Sequence, residues 1–303
     1  MRESELLRHI YRRSDGLDAG GPIVIGPGDD CAAIRTGAGL SLVTVDQLVE
    51  GRHFTPDTPI DLVARKAVAR SASDIAAMGG TPIAGFAAAC LPAGYTNADE
   101  LFDRMAHWAQ VMGCPLAGGD IAMLGGGQPG PLVLGVTVIG SAHPVRGPVR
   151  RSDAHAGDDV YVTGRLGGSF RSGRHLTFTP RVKEGTWLCG SLEGHLGAMI
   201  DLSDGAGRDA ARVAEMSRVR IELEASLLPM NDGVSDWRSA LGDGEDYELL
   251  FTVRPGGVLP EKGPGTDTQF TRIGRVTEGA GCFVRTRDGE MVNVAEIGWD
   301  HHA

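Results

Sequence analysis

Two layered units, each mixing strands and helices as α/β or α+β architecture, are expected from this sequence. Three observations support that expectation. The chain has 303 residues, and about 150 residues per domain favours two domains. Apolar segments of strand length alternate with amphipathic helical segments in both halves. A turn-rich stretch over 140–159 separates the halves. The boundary is set near residue 148, giving an N-terminal domain over 1–148 and a C-terminal domain over 149–303.

The elements follow in order. Leu40 to Val45 reads as a strand ending at Asp46. Asp61 is placed to cap a helix over 62–77, in which Leu62, Ala69 and Ile75 roughly follow a helical period. Ile83 to Leu91 reads as a second strand, so rich in alanine that burial on both faces is expected. A helix starting at Thr96 or Asn97 runs through Met112, with Leu101, Met105, Trp108 and Met112 on one stripe. Leu132 to Ile139 is a third strand. In the second half, Val160–Thr163, Ala198–Asp201, Val219–Leu223 and Tyr247–Val253 read as strands and 205–216 as a helix. No short-period repeat is evident.

Composition narrows the function classes. Hydrophobic residues are 42% and charged residues 22% of the chain, ordinary values for a globular protein. The 45 glycines show no fixed G-x-y period and point to tight turns and close backbone approaches. A net charge of −10, from 39 Asp+Glu against 29 Lys+Arg, argues against a duplex nucleic-acid binder. The longest uncharged runs, 75–98 and 121–142, are broken by Gly79-Gly80-Thr81-Pro82 and by the 125–131 glycine-proline run, so no membrane span is expected. The N-terminal MRESELLRHIYRR has no apolar signal region. The five cysteines, at 31, 90, 114, 189 and 282, form no C-x-x-C pair. Structural zinc and disulfides are poor readings, and a reducing cytoplasm is the expected compartment.

The aspartates carry the chemical information. Asp29 and Asp30 follow Gly26-Pro27-Gly28, and Asp46 ends an apolar strand. Asp74 precedes Gly79-Gly80, Asp120 follows Gly118-Gly119, and Asp201 and Asp204 bracket Ser203. Hard carboxylate oxygens of this kind suit Mg²⁺, and neighbouring glycines let backbone N–H groups approach phosphates. Taken singly, an Asp beside Gly is more often a turn former or helix cap. There is no G-x-x-x-x-G-K-[ST] loop and no H-R-D or D-F-G set. The residues alone therefore reach a Mg²⁺-dependent phosphate enzyme and stop there.

Eight ordered segments go further: GPGDDCA (26–32), TVDQLVEGRHF (44–54), ARSASDIAAMGGTP (69–82), AGGD (117–120), RRSDAHAGDDVYVTG (150–164), IDLSDGAGRD (200–209), GEDYELLFTV (244–253) and GWDHH (298–302). Together they resemble the thiamine-monophosphate kinase family, within the aminoimidazole ribonucleotide synthetase-like ATP-binding superfamily, over roughly residues 20–302. The resemblance implies a two-domain fold of that type, with N-terminal domains paired in a homodimer and the site beside the pairing. It implies an N-terminal Mg-ATP-binding and dimerisation domain and a C-terminal domain completing the substrate site. It also implies transfer of the ATP γ-phosphoryl to the phosphate of thiamine monophosphate. Metal binding carries over onto Asp30, Asp46, Asp74, Asp120, Asp201 and Asp204, with Thr44 and Val45 adjoining. ATP contacts carry over onto Gly119, Asp120, Arg151 and Ser203, and substrate contacts onto His53, Glu245 and Trp299. Several Mg²⁺ ions and ATP are implied, with no covalent nucleophile.

The departures from the family pattern lie in the second half. Ala206 follows Gly205 where leucine is usual, the segment 169–185 is short, and Gly242-Asp243-Gly244-Glu245-Asp246 replaces a Gly-Gly-Glu-Asp run. Two alternatives remain: a related Mg-ATP enzyme acting on another small substrate, and a nucleotide-binding protein without turnover. The hydrogenase-maturation type is disfavoured by the tail Trp299-Asp300-His301-His302-Ala303, which has no cysteine. The selenophosphate type is disfavoured because no cysteine precedes Cys31.

Overall fold

In the computed structural model, which describes residues 3–14, 16, 21–37, 39–125, 130–263 and 265–300, the chain forms two sheets in sequence. His301 and His302 of the last motif, and residues 126–129 of the glycine run, lie outside the described residues.

The first sheet contains β1 (Ile23–Ile25), β2 (Ala32–Thr36), β3 (Gly39–Val49), β4 (Thr81–Leu91), β5 (Leu116–Met123) and β6 (Val133–Ser141), in the spatial order β1-β2-β3-β6-β4-β5. Among the described strands of this sheet, only the β4–β5 pair is parallel. Three helices accompany it: α1 (Glu3–Arg13), α2 (Ile60–Ala77) and α3 (Ala98–Val111). Helix α2 is alanine-rich, which favours helix at little entropic cost. It begins after Pro59, one residue before the expected Asp61 cap; Asp61 lies within the first turn and complements the helix dipole. Its end is a Schellman motif, with Gly79 N–H donating to Ala76 O and Gly80 N–H to Ile75 O, both at 2.9 Å. Gly79 has φ +68°, and an added Cβ there would sit 2.1 Å from Cys189 Sγ. Sequence Met-Gly-Gly after Asp74 therefore stops the helix one turn beyond that carboxylate.

Strand β3 continues past Asp46 to Val49, because its pairing with β6 runs unbroken from Ser41↔Ser141 to Val49↔Val133. Strand β4 is not buried on both faces as expected. Its burial alternates, with Ala87, Ala89 and Leu91 inside and Phe86 and Ala88 exposed. The inner face carries α2 and α3 and a core of Leu42, Leu48, Val68, Leu101, Leu134 and their neighbours. The outer face presents Val45, 67% exposed, and Phe86 to solvent, joined through the register Val45↔Thr137↔Phe86.

The second sheet contains β7 (Asp159–Thr163), β8 (Leu196–Asp201), β9 (Arg220–Glu224), β10 (Leu249–Val253), β11 (Phe270–Thr277), β12 (Gly281–Arg285) and β13 (Met291–Asn293), in the order β13-β12-β9-β11-β7-β10-β8. All its pairs are antiparallel except β12–β9. Five helices belong to this half: α4 (Ser169–Ser172), α5 (Arg174–Thr177), α6 (Val182–Ser191), α7 (Ala206–Ser217) and α8 (Trp237–Gly242). One face of this sheet is covered along its length and the other at its β7–β10–β8 end, while Glu222, Glu224 and Arg285 of β9 and β12 face outward. One core gathers Val160, Ile200, Val213, Ile221 and Leu241, and the other gathers Leu188, Met199, Leu249 and Phe251.

Helix α2 joins the halves. Its residues enter three cores: Val68 the first, Ala77 that of α6, and Ala69 a cluster with Phe178 and Tyr247. Gly185 of α6 comes so near that a Cβ would lie 2.4 Å from Ala76 O. Ser73 donates to Asp201 Oδ2 at the end of β8 (2.7 Å), and Arg65 to Leu176 O (3.0 Å). No helix among the described residues is long and apolar enough to cross a membrane.

Candidate active site

Lys66, Arg70, Ser73 and Asp74 occupy positions i, i+4, i+7 and i+8 of α2, which places them on one stripe of the helix. That stripe organises two adjoining features, an acidic cluster and a cleft.

In the acidic cluster, carboxylate oxygens of Asp30, Asp74 and Asp201 all lie within 4.8 Å of one another. They come from the loop before β2, from α2 and from the end of β8. Thr44 Oγ1 donates to Asp74 Oδ2. Burial pushes the Asp74 carboxyl well above the usual carboxylate range, and the charges of Asp46, Asp201 and Asp30 push the same way. Asp201 is raised likewise by burial and then by Asp30, with the Ser73 hydrogen bond opposing. Asp29 is pushed up to about 7 by burial and by Asp30, against the pull of Arg151. Arg151 is the guanidinium inside this group: Nε donates to Asp30 Oδ2 at 3.1 Å and an Nη to Asp30 Oδ1 at 2.7 Å. Two guanidiniums, Arg151 and the more distant Arg70, thus face five carboxylates, Asp29, Asp30, Asp46, Asp74 and Asp201. A hard divalent cation fits such a donor set, because it needs converging oxygens and relieves their mutual repulsion.

The cleft, of about 570 Å³, lies between the halves. His53 and Arg70 line it from the first half; Ser203, Asp204, Glu245 and Trp299 line it from the second. Trp299 is half-exposed (52%) and is fixed by its indole N–H donating to Asp243 O at 2.9 Å and its backbone N–H to Asp204 O at 2.8 Å. Glu245 accepts a charge-assisted bond from Lys66, whose Nζ also reaches His53 O and His175 Nδ1, each at 2.8 Å. Burial acts to raise the Glu245 carboxyl, but the His175 hydrogen bond and the charges of Lys66 and Arg70 hold it down at about 2. Burial lowers Lys66 to about 8 in spite of Glu245. Glu245 and Tyr247 both have positive φ, 59° and 51°. Such backbone strain in non-glycine residues is tolerated where the surroundings over-determine it, commonly at functional sites. Here Glu245 N–H donates to Ser203 O (2.7 Å) and Tyr247 N–H to Leu202 O (2.8 Å), while the Tyr247 ring stacks on Phe178 at 4.0 Å.

The residues singled out from sequence fall into groups. Asp30, Asp74 and Asp201 converge, with Asp46 close enough to act on two of them. Thr44 touches Asp74, whereas the Val45 side chain points to the opposite, open face of the sheet. Asp204 lines the cleft and pairs with Arg212 at 2.5 Å. Gly119 and Asp120 stand apart. The register Asp46↔Val136↔Ala87↔Gly119 puts Gly119 three strands from Asp46, about 14 Å at the usual strand spacing. Asp120, one residue on, lies on the open face. A Cβ at Gly119 would meet Ala87 O at 1.8 Å, so glycine is what lets β5 pair with β4 here.

Lys66, Arg70, His175, Phe170 and Tyr247 are part of the cleft or its floor and were not singled out from sequence. The polar stripe of α2 was a usable signal for the first two. His175 and Phe170, stacked at 4.4 Å, sit in the short, divergent segment 169–185, where no pattern marked them.

Residues 28–142 match the family model described as AIR synthase related protein, N-terminal domain. A thiamine-monophosphate kinase from Rhodopirellula baltica is 31% identical over 319 residues, covering 99% of this chain and 97% of that protein. One from Escherichia coli strain K12 is 34% identical over 346 residues, covering 99% and 98%. Among solved structures, AaThiL complexed with AMPPCP and TMP superposes with a TM-score of 0.81 at 28% identity, covering 100% of this chain and 99% of that one. Full-length matches above 30% identity, on a fold shared from end to end, lead to one conclusion: the chain belongs to the thiamine-monophosphate kinase family.

Proposed function

We propose that this protein transfers the γ-phosphoryl group of ATP to the phosphate of thiamine monophosphate, yielding thiamine diphosphate and ADP. The observation that carries the reading is the meeting of an under-neutralised carboxylate cluster with a cleft that holds both carboxylates and guanidinium groups. A thiazolium ring is cationic and its phosphate arm anionic, so a cleft of both signs suits it. Trp299 offers a face for the cationic ring, and Glu245, kept ionised by Lys66 and His175, adds negative charge beside it.

Asp30, Asp74 and Asp201, with Asp46 beside them, are the residues that would hold Mg²⁺; Asp120 and Asp204 complete the proposed set. Mg²⁺ bound there supplies neutralisation of charge on the transferring phosphoryl group. An oxygen of the acceptor phosphate forms a bond to the γ-phosphorus as the bond to the β–γ bridging oxygen breaks, and ADP leaves with that electron pair. The acceptor is already anionic, so no general base is needed. The task of the chain's own residues is to align the two phosphates and offset their repulsion. Gly119, Asp120, Arg151 and Ser203 are assigned to ATP.

The division of labour follows the two sheets: residues 1–148 for Mg-ATP and pairing, residues 149–303 for completing the substrate site. The open apolar face around Val45 and Phe86 supports pairing of two first sheets in a homodimer. The position of Asp120 on that same face supports delivery of its carboxylate to the partner's site. A cytoplasmic setting accords with five free cysteines. Incubating the protein with Mg-ATP and thiamine monophosphate, with and without EDTA, tests the reading by chromatography. EDTA-sensitive thiamine diphosphate is the expected result, and its absence with active metal and nucleotide present overturns the proposal.

A further inference from the structure

We propose that Arg70 binds the acceptor's phosphate and so selects a phosphorylated substrate over its unphosphorylated parent; this rests on the function proposed above. Arg70 lines the cleft yet its side chain is only 14% exposed. One Nη donates to Gln47 O at 2.6 Å, and the other lies 3.5 Å from Asp46 Oδ1, a long contact. Its Nε is buried and has no hydrogen-bond partner. A buried, unsatisfied donor on a charged group is costly, and it persists where a ligand uses it.

Position makes phosphate the fitting ligand. Arg70 stands between the cleft floor, where Tyr247 and Glu245 feel its charge, and the acidic cluster, where Asp46 and Asp74 do. An acceptor with its rings in the cleft and its phosphate facing the cluster must cross this boundary. Other cations are less suited, Arg52 of the cleft lining being exposed. Arg171 is 71% exposed and pairs with Asp243. Lys66 is fully buried and engaged by Glu245, His175 and His53 O. Arg151 is bonded twice to Asp30 and is already assigned to ATP. Nε together with one Nη presents the planar fork that grips a phosphate through two oxygens.

Isothermal titration in Mg²⁺, without nucleotide, of thiamine monophosphate and of thiamine into wild type, Arg70→Gln and Arg70→Lys tests this, alongside KM values for both substrates. The expected result for Arg70→Gln is a roughly 10- to 100-fold loss of thiamine monophosphate affinity, the range expected for losing a charged hydrogen bond. Thiamine affinity and the KM for ATP stay within about twofold, and Arg70→Lys recovers part of the loss because it keeps charge without the fork. An unchanged preference for the phosphorylated ligand in Arg70→Gln overturns the inference, as does equal weakening of both ligands or of ATP, which marks a structural role. Should Arg70→Gln fail to fold, Arg70→Lys carries the test: an unaltered thiamine monophosphate affinity and KM overturns the inference. A wild type that neither binds nor converts thiamine monophosphate overturns the function and the inference together; a wild type that converts it while the preference survives in the variants overturns the inference alone.

Discussion

Two groups of buried carboxylates sit in this protein, and they are built on opposite plans. In the second half, Asp246 and Glu248 each have a guanidinium. Glu248 accepts from Arg181 Nε and an Nη, both at 2.6 Å, and from Thr163 at 2.6 Å. Asp246 accepts from Arg174 at 2.6 Å and from Gly167 N–H at 2.9 Å. Between the halves, Asp30, Asp74 and Asp201, with Asp29 and Asp46 beside them, have two guanidiniums for five carboxylates: Arg151, bonded to Asp30, and Arg70, in a long contact of 3.5 Å with Asp46, while Asp29 accepts the Arg151 backbone N–H. The first group is closed by its own chain. The second is left with charge that something else must balance. Burial of acidic groups alone does not mark a site; the shortage of partners does.

That contrast can be broken at its strongest point by Asp74→Asn. Turnover should fall about 100-fold or more, some 3 kcal/mol of transition-state stabilisation. The metal-free variant should melt higher than metal-free wild type, since one repelling charge is gone, and Mg²⁺ should no longer raise its melting temperature. Calorimetry with and without Mg²⁺ reads both effects. Arg181→Ala attacks the closed group and should do the reverse. Losing one partner of a buried pair should lower stability by about 3 kcal/mol while the Mg²⁺-dependent rise persists, measured by urea unfolding.

Glu245 gives a pH-dependent version of the comparison. Its folded value of about 2 lies below the ordinary carboxylate value of about 4.3, so the stability it contributes is present above that ordinary value. It is lost as pH falls towards 2, and the difference amounts to about 3 kcal/mol. Wild type should therefore lose its advantage over Glu245→Gln as pH falls from about 4.5 to about 2, and a constant gap in parallel unfolding curves would count against the Lys66–His175 clamp. The smallest expected change in stability comes from Phe86→Asp on the open face of the first sheet. The monomer should stay folded and, on the pairing of first sheets proposed above, light scattering should show a dimer-to-monomer shift with activity falling alongside.

Much of the acidic cluster was legible because Asp29 follows glycine, Asp74 follows serine and Asp201 ends a strand, whereas Asp46 lies within β3 rather than at its end. The extent of strand β4 was legible too, but not its exposure. Alanine marks a surface where something packs closely, and composition cannot say whether the covering layer is a helix or a second chain. Strand β5 was missed because Gly118-Gly119 interrupts its pattern, although the backbone approach to Ala87 is the reason for that glycine. The clamp on Glu245 was invisible for another reason. Lys66 and Glu245 are 179 residues apart, and a lysine in an alanine-rich helix shows no destination until the second half folds against it.

Helix α2 supplies side chains to the cores on both sides and anchors both the cluster and the cleft. Loosening one sheet from the other would therefore strip α2 of one of its cores. The protein should unfold as one cooperative unit, with the amides of α2 exchanging only when the whole chain opens.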